Sequence, residues 1–179
     1  MLTAARRTRA GDAATRVVLS TFRATGLLLS AGDALAAAEG LTSTRWQVLG
    51  AISLAGRPLT VPQIARRMGL TRQSVHATVK RLMGEGLVEL RPNEDHRRSP
   101  LVRLTETGKA AYAAIDRRQA AWINELAAGI PEADLETVRS CLGHLIRARL
   151  RAGPGILVLR GDVPRWGITS RGASRRRSR

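Results

Sequence analysis

Cysteine occurs once, at Cys141, which excludes a disulfide framework within the chain and any cysteine-built zinc site. The three histidines, His76, His96 and His144, lie far apart and off metal-ligand spacing, so neither a metal centre nor another cofactor is expected. Aromatic side chains are scarce: Phe22, Trp46, Tyr112, Trp122 and Trp166 make up 3% of the residues. That is too few for the stacking platforms with which proteins read single strands or RNA. A glycine-rich phosphate loop, a nucleophile elbow and a zinc-protease helix are also missing, so no enzyme class is indicated. No apolar run reaches the ~18 residues of a membrane span. Asp12, Arg16, Arg23 and Asp33 break up the stretch that would have to follow Arg6-Arg7 in a secretory signal. A cytoplasmic protein without a membrane partner is the reading.

Acidic residues are the last shortage. Asp+Glu 14 face Lys+Arg 30, and 28 of the basic residues are Arg, giving a net charge of +16. An excess of that size points to a polyanionic partner, nucleic acid ahead of an anionic membrane surface. At 179 residues and 44% apolar content the chain has room for one domain with appendages.

Residues 1–16 read as a flexible N-terminus. From Val17 to Glu39 apolar residues recur at helical spacing, and Gly40 stops them. A second helix follows Thr42-Ser43 and carries Trp46, Leu49 and Ile52; Gly56-Arg57-Pro58 breaks it. Thr60 stands three residues before Gln63, a capping box that opens a short helix burying Ile64, Ala65 and Met68. Gly69 ends that helix in a tight turn. Thr71 caps the next, which runs to Glu85. Leu87-Val88-Glu89-Leu90 and Leu101-Val102-Arg103-Leu104 read as two strands around a polar, proline-bracketed loop. Helices follow from Thr105 to Ala128 and from Pro131 to Leu150. Residues 151–179 hold eight Arg and one Asp, +7 of the total, and read as a disordered basic tail, either adding phosphate contacts or forming an inert extension.

Helix, short helix, turn, helix and hairpin make a winged helix-turn-helix: mainly α with a small β-hairpin wing, an α+β class. In the recognition helix Val75, Val79, Leu82 and Met83 form one apolar stripe. Arg72, Gln73, Ser74 and Ala77 then face outward, small and polar enough to approach a major groove and read base edges. Thr71, Lys80 and Arg81 are placed to hold phosphates. At the hairpin tip Arg97 and Arg98, backed by Arg91 and Arg103, suit a narrow minor groove. Glu94 and Asp95 beside them are explained if one carboxylate holds an arginine in its bound orientation.

Leu41-Thr42-Ser43-Thr44-Arg45-Trp46, Thr71-Arg72-Gln73-Ser74-Val75-His76, Glu85-Gly86-Leu87-Val88 and Asp95 through Gly108 together resemble the MarR (multiple antibiotic resistance regulator) family over residues 17–150. The most specific part is the wing followed by Leu104-Thr105-Glu106-Thr107-Gly108. The resemblance implies a homodimer whose N- and C-terminal helices interdigitate, here about 17–39 and 106–150. Two winged lobes, about 41–105 in each protomer, would then sit on a pseudo-palindromic operator in double-stranded DNA. It also implies a repressor released when a small ligand or oxidation changes the lobe spacing. The family's wing reads Asp-x-Arg before Leu-Thr. Here His96 occupies the Asp position and Asp95 is displaced by one, while Arg98 keeps the Arg position.

A twofold assembly agrees with the chemistry, because one such lobe makes few base contacts and two half-sites ~34 Å apart supply the rest. Phe22, Leu27, Leu28, Ile115, Trp122, Ile123, Leu126, Leu142 and Leu145 are available for an interface or for the core. Phe22, Trp46 and Tyr112 read first as helical core, with the wall of a cavity for a small-molecule effector as the alternative. Cys141 reads first as a small buried apolar residue, with a redox switch as the alternative. The rival function is an architectural basic protein that holds nucleic acid without sequence preference.

Overall fold

A computed structural model describes residues 7–151. Residues 1–6 and the basic tail after Arg151 lie outside them. The first helix, α1 (Arg9–Ala36), begins well before Val17 because Thr8 caps it: Gly11 N donates to Thr8 Oγ1 at 3.0 Å. A 3-10 turn (Ala37–Glu39) leads to Leu41, whose amide reaches back to Ala36 O at 3.2 Å. Thr42 then caps α2 (Ser43–Ser53). Asp33 on α1 accepts the Ser43 amide at 2.6 Å, so α1 serves as part of the cap of α2.

After α2, a two-residue strand β1 (Leu59–Thr60) precedes α3 (Val61–Met68) and α4 (Arg72–Gly84). The capping box is complete. Thr60 N donates to Gln63 Oε1 at 2.8 Å, and Gln63 N donates to Thr60 Oγ1 at 3.4 Å. Gly69 sits at φ 66°, the left-handed conformation that lets Leu70 N bond Ala65 O and turn the chain into α4.

The wing strands are β2 (Val88–Arg91) and β3 (Leu101–Leu104), antiparallel, with Val88 opposite Leu104 and Leu90 opposite Val102. The sheet has three strands, not the two read from sequence, in the order β1-β3-β2. Leu59 pairs Val102 and Thr60 pairs Leu101. A two-residue strand carries no alternation to detect, and both its residues are buried by the strand they pair with.

α5 (Glu106–Ala127) is stapled to the wing by Thr105. Its hydroxyl donates to Gly86 O at 2.7 Å and accepts the Gly108 amide at 3.0 Å, while its own amide donates to Leu87 O at 3.1 Å. Gly108 is required by this closeness: a Cβ there would lie 1.9 Å from Leu87 O.

One core joins these elements. Leu49, Leu59, Ile64, Leu82 and Ile115 are fully buried, each worth about 1.5–3 kcal/mol. Val48, Val75 and Val102 complete the inner layer. Met68, expected inside with Ile64 and Ala65, is only partly buried against this cluster.

The chain divides into two compact units at Ala128 and Gly129. In the described part of the second, α6 (Glu132–Arg151) starts with Glu132 and Asp134 in its first turn, where carboxylates complement the helix dipole. Leu135, Val138 and Ile146 along it are exposed. Cys141 is exposed too, contrary to its reading as a buried apolar residue. Among the described residues no helix is long and apolar enough to cross a membrane, and no cluster of His, Cys, Asp and Glu could hold a metal.

Candidate nucleic-acid interface

α4 presents one face to the core and the other to solvent. Val75, Val79 and Leu82 are buried; Met83, read as the fourth member of the stripe, is 39% exposed. At about 100° per residue it falls at the rim of that stripe. There it lines a cleft against the wing. Arg72, Gln73, Ser74, Ala77, Lys80 and Arg81 are all exposed. His76, which the sequence reading did not single out as a site residue, is exposed beside them. Thr71 is the helix cap, its Oγ1 accepting the Ser74 amide at 3.1 Å, so only its O–H remains to donate outward.

The charge around this face is of one sign. No Asp or Glu occurs between Glu39 and Glu85, whereas Arg45, Arg57, Arg66, Arg67, Arg72, Lys80 and Arg81 fall within that span. Glu85, which ends the run, is taken by Arg45 in an ion pair. Arg45 also donates to Gly40 O at 2.8 Å and so ties the start of α2 to the end of α4. The two ion-pair partners are forty residues apart, and nothing local in the sequence announces the pairing.

The loop at 92–100 is organised by buried Asn93. Its side-chain amide donates to Ser99 O at 2.8 Å, and Ser99 N donates to His96 O at 2.8 Å. Arg97 and Arg98 are exposed. Arg98 lines a cleft of about 500 Å³ together with His76, Lys80 and Met83 of α4, so the wing arginine and the recognition helix share one surface.

Glu94 and Asp95 form no ion pair with Arg97 or Arg98 among the described residues, contrary to the expectation that one of them would hold an arginine. Asp95 instead lines a second cleft with Arg57, Arg66 and His96. The carboxylate that does orient arginines is Glu89, directly across from Arg103 in the sheet. It accepts from Arg103 Nε at 2.8 Å and from Arg91 Nε at 3.1 Å. The Arg103 guanidinium, then that of Arg91, holds the Glu89 carboxyl below the usual carboxylate range.

Of the three residues expected around an effector, two meet. Trp46 on α2 and Tyr112 on α5 line a cavity of about 580 Å³ with Gly50, Leu54, Met68 and Asp116. Gly50 makes room for the ring, since a Cβ there would stand 3.2 Å from Tyr112. Burial, and then the Asp116 carboxylate beside it, raises the Tyr112 phenol above its ordinary value. Phe22 is not among the lining residues; it lies 69% exposed on α1.

A capped helix-turn-helix with a three-stranded wing, an acid-free basic face and arginines at the hairpin tip defines a winged helix-turn-helix protein. A model described as MarR family matches residues 39–99. An uncharacterised protein of Mycobacterium tuberculosis is 44% identical over 137 residues, covering 76% of this chain and 94% of that one. The uncharacterised HTH-type transcriptional regulator YwoH of Bacillus subtilis is 32% identical over 112 residues, 63% of this chain and 77% of that one. Among solved structures, the M. tuberculosis transcriptional regulator MosR in complex with DNA aligns with a TM-score of 0.62 at 25% identity, over 74% of this chain and 96% of that one. The chain belongs to the MarR family of transcriptional regulators. Its family and fold are those of transcription regulators, not of enzymes.

Proposed function

We infer that the chain acts as a homodimer on a pseudo-palindromic operator in duplex DNA. It represses by occupying that operator and lets go when a small ligand enters the cavity beside Trp46 and Tyr112. The observation that carries this reading is the acid-free basic face of α4, with Arg98 of the wing lining the same cleft as Lys80. Arg72, Gln73, Ser74 and Ala77 take the base edges, Thr71, Lys80 and Arg81 the phosphates, and Arg98 with Arg97 the flanking minor groove. The complex with DNA of the related MosR supports the partner.

Support for the dimer comes from apolar surface that water does not favour. α1 exposes Val18, Leu19, Phe22, Leu27 and Leu28, and α6 exposes Leu135, Val138 and Ile146. Both helices lie outside the winged lobe, where the resemblance puts the partner. Phe22 then belongs to the interface and Trp46 and Tyr112 to the effector cavity.

The test is footprinting of the purified protein on its own upstream DNA, with Arg98→Ala alongside. Wild type is expected to protect an inverted repeat, and the variant to fold normally but bind more weakly. Unchanged affinity at fixed salt removes Arg98 from the interface.

A further inference from the structure

Beside the recognition helix lies a smaller cleft that joins residues already placed at the DNA to the start of α2, which has no role so far. It measures about 310 Å³ and is lined by Thr42, Thr44 and Arg45 from the start of α2 and by Ser74, Ala77, Thr78 and Arg81 from the flank of α4. Every polar group in that lining is a hydroxyl or a guanidinium; no carboxylate is among them. Arg81 forms no ion pair with another described residue, and the Thr44 hydroxyl makes no hydrogen bond to one. Arg45 is half-buried, its side chain 19% exposed, and is fixed in place by Glu85 and by Gly40 O.

In the first turn of α2, Ser43 N is taken by Asp33 and Arg45 N by Thr42 Oγ1, so neither amide is available to the cleft. The cleft is roomier than one phosphate, and the Thr78 hydroxyl is already given to Ser74 O at 3.0 Å; what suits an oxyanion is the pairing of the Arg81 guanidinium on one helix with the Thr44 hydroxyl on the other. Because Ser74 and Ala77 border it, an anion seated there stands beside the helix face that takes the base edges.

We propose that this cleft seats one phosphate of the DNA backbone, held by Thr44 and Arg81 with Arg45 as its fixed wall, and so sets how far α4 enters the major groove. The proposal rests on the DNA-binding reading and adds the start of α2 to the interface. The phosphate already given to Arg81 of α4 is then shared with Thr44 of α2.

The test compares wild type, Thr44→Val, Arg81→Gln and the double variant on a random-sequence duplex a few turns long, at several salt concentrations. Thr44→Val loses a neutral donor, so affinity falls about tenfold with the salt slope unchanged. Arg81→Gln flattens the log–log slope by about 0.9 per bound protomer. The double variant is weakened less than the product of the two single losses, because both groups hold one phosphate. Wild-type affinity in Thr44→Val, or losses that multiply independently, overturns the shared seat even while Arg98→Ala still weakens binding. If wild type holds no duplex at all, both this inference and the DNA-binding reading fall. A free-anion seat would show differently: inorganic phosphate would raise the unfolding temperature of DNA-free wild type over chloride at equal ionic strength, but not that of Arg81→Gln. That result, together with wild-type duplex affinity in both Thr44→Val and Arg81→Gln, would overturn assignment to the DNA backbone.

Discussion

A methyl group added at Gly108 would sit 1.9 Å from Leu87 O and 2.9 Å from the Leu87 carbonyl carbon. Both are backbone atoms in the turn between α4 and β2, and no rotamer change relieves the clash. Either the first turn of α5 or that turn must move by more than an ångström. The movement breaks the bonds that Thr105 makes to Leu87 O at 3.1 Å and to Gly86 O at 2.7 Å. Two such bonds are worth about 1 kcal/mol each. Shifting α5 also loosens buried Ala111 and Ile115 in the core, at a cost of about 1–2 kcal/mol more. Against this, the alanine stiffens the unfolded chain by only about 0.4–1 kcal/mol. Gly108→Ala is therefore expected to destabilise by about 3 kcal/mol, lowering the unfolding midpoint by about 6–12 °C in a chain of this size. Thermal unfolding followed by circular dichroism at one fixed protein concentration measures it. Gly84→Ala is the control, since a Cβ at Gly84 meets nothing within 4 Å; it is expected to be neutral or slightly stabilising. A Gly108→Ala midpoint within ~2 °C of wild type would refute the argument from close approach.

Thr60→Val removes the acceptor of the capping box and is expected to cost about 1 kcal/mol, read as a midpoint drop of about 2–4 °C. Tyr112 is the one tyrosine of the chain, so tyrosinate absorbance reports it alone. Its midpoint should lie above the ordinary value near 10, and Asp116→Asn should bring it part of the way back, leaving the contribution of burial. Because the folded state favours the neutral phenol, that contribution to stability is full below the unfolded value and is lost as pH rises through the folded one. Acidification acts oppositely at the wing. The Glu89 carboxylate is stabilised by Arg103 and Arg91, so their bracket persists above the ordinary carboxylate range and opens as pH falls through the lowered value. Nuclear magnetic resonance titration of the Glu89 side chain would follow it.

Patterned and capped features were legible in the sequence. Thr60 with Gln63, Gly69, Thr71 and the Val75–Val79–Leu82 stripe all lie where spacing puts them, because capping and amphipathicity act within a few residues. The polar face of α4 followed from the same periodicity. Hidden were the features made by chain-distant partners: β1 against β3, Asp33 capping α2, Arg45 with Glu85, and Arg118 reaching Glu39 at 2.9 Å. Glu89 escaped notice for another reason. A carboxylate two residues from one arginine reads as local neutralisation until the register of the sheet brings Arg103 across from it. Phe22 shows the limit for cavities, since helical spacing places a ring on a face without saying what that face meets.

The most direct test of the central claim is the stoichiometry and specificity of the DNA complex, measured by sedimentation on an inverted repeat selected from random duplexes and on its scrambled counterpart. Two protomers per duplex are predicted, with the scrambled sequence held at least about a thousandfold more weakly. One protomer per duplex, or equal affinity for both sequences, would contradict it.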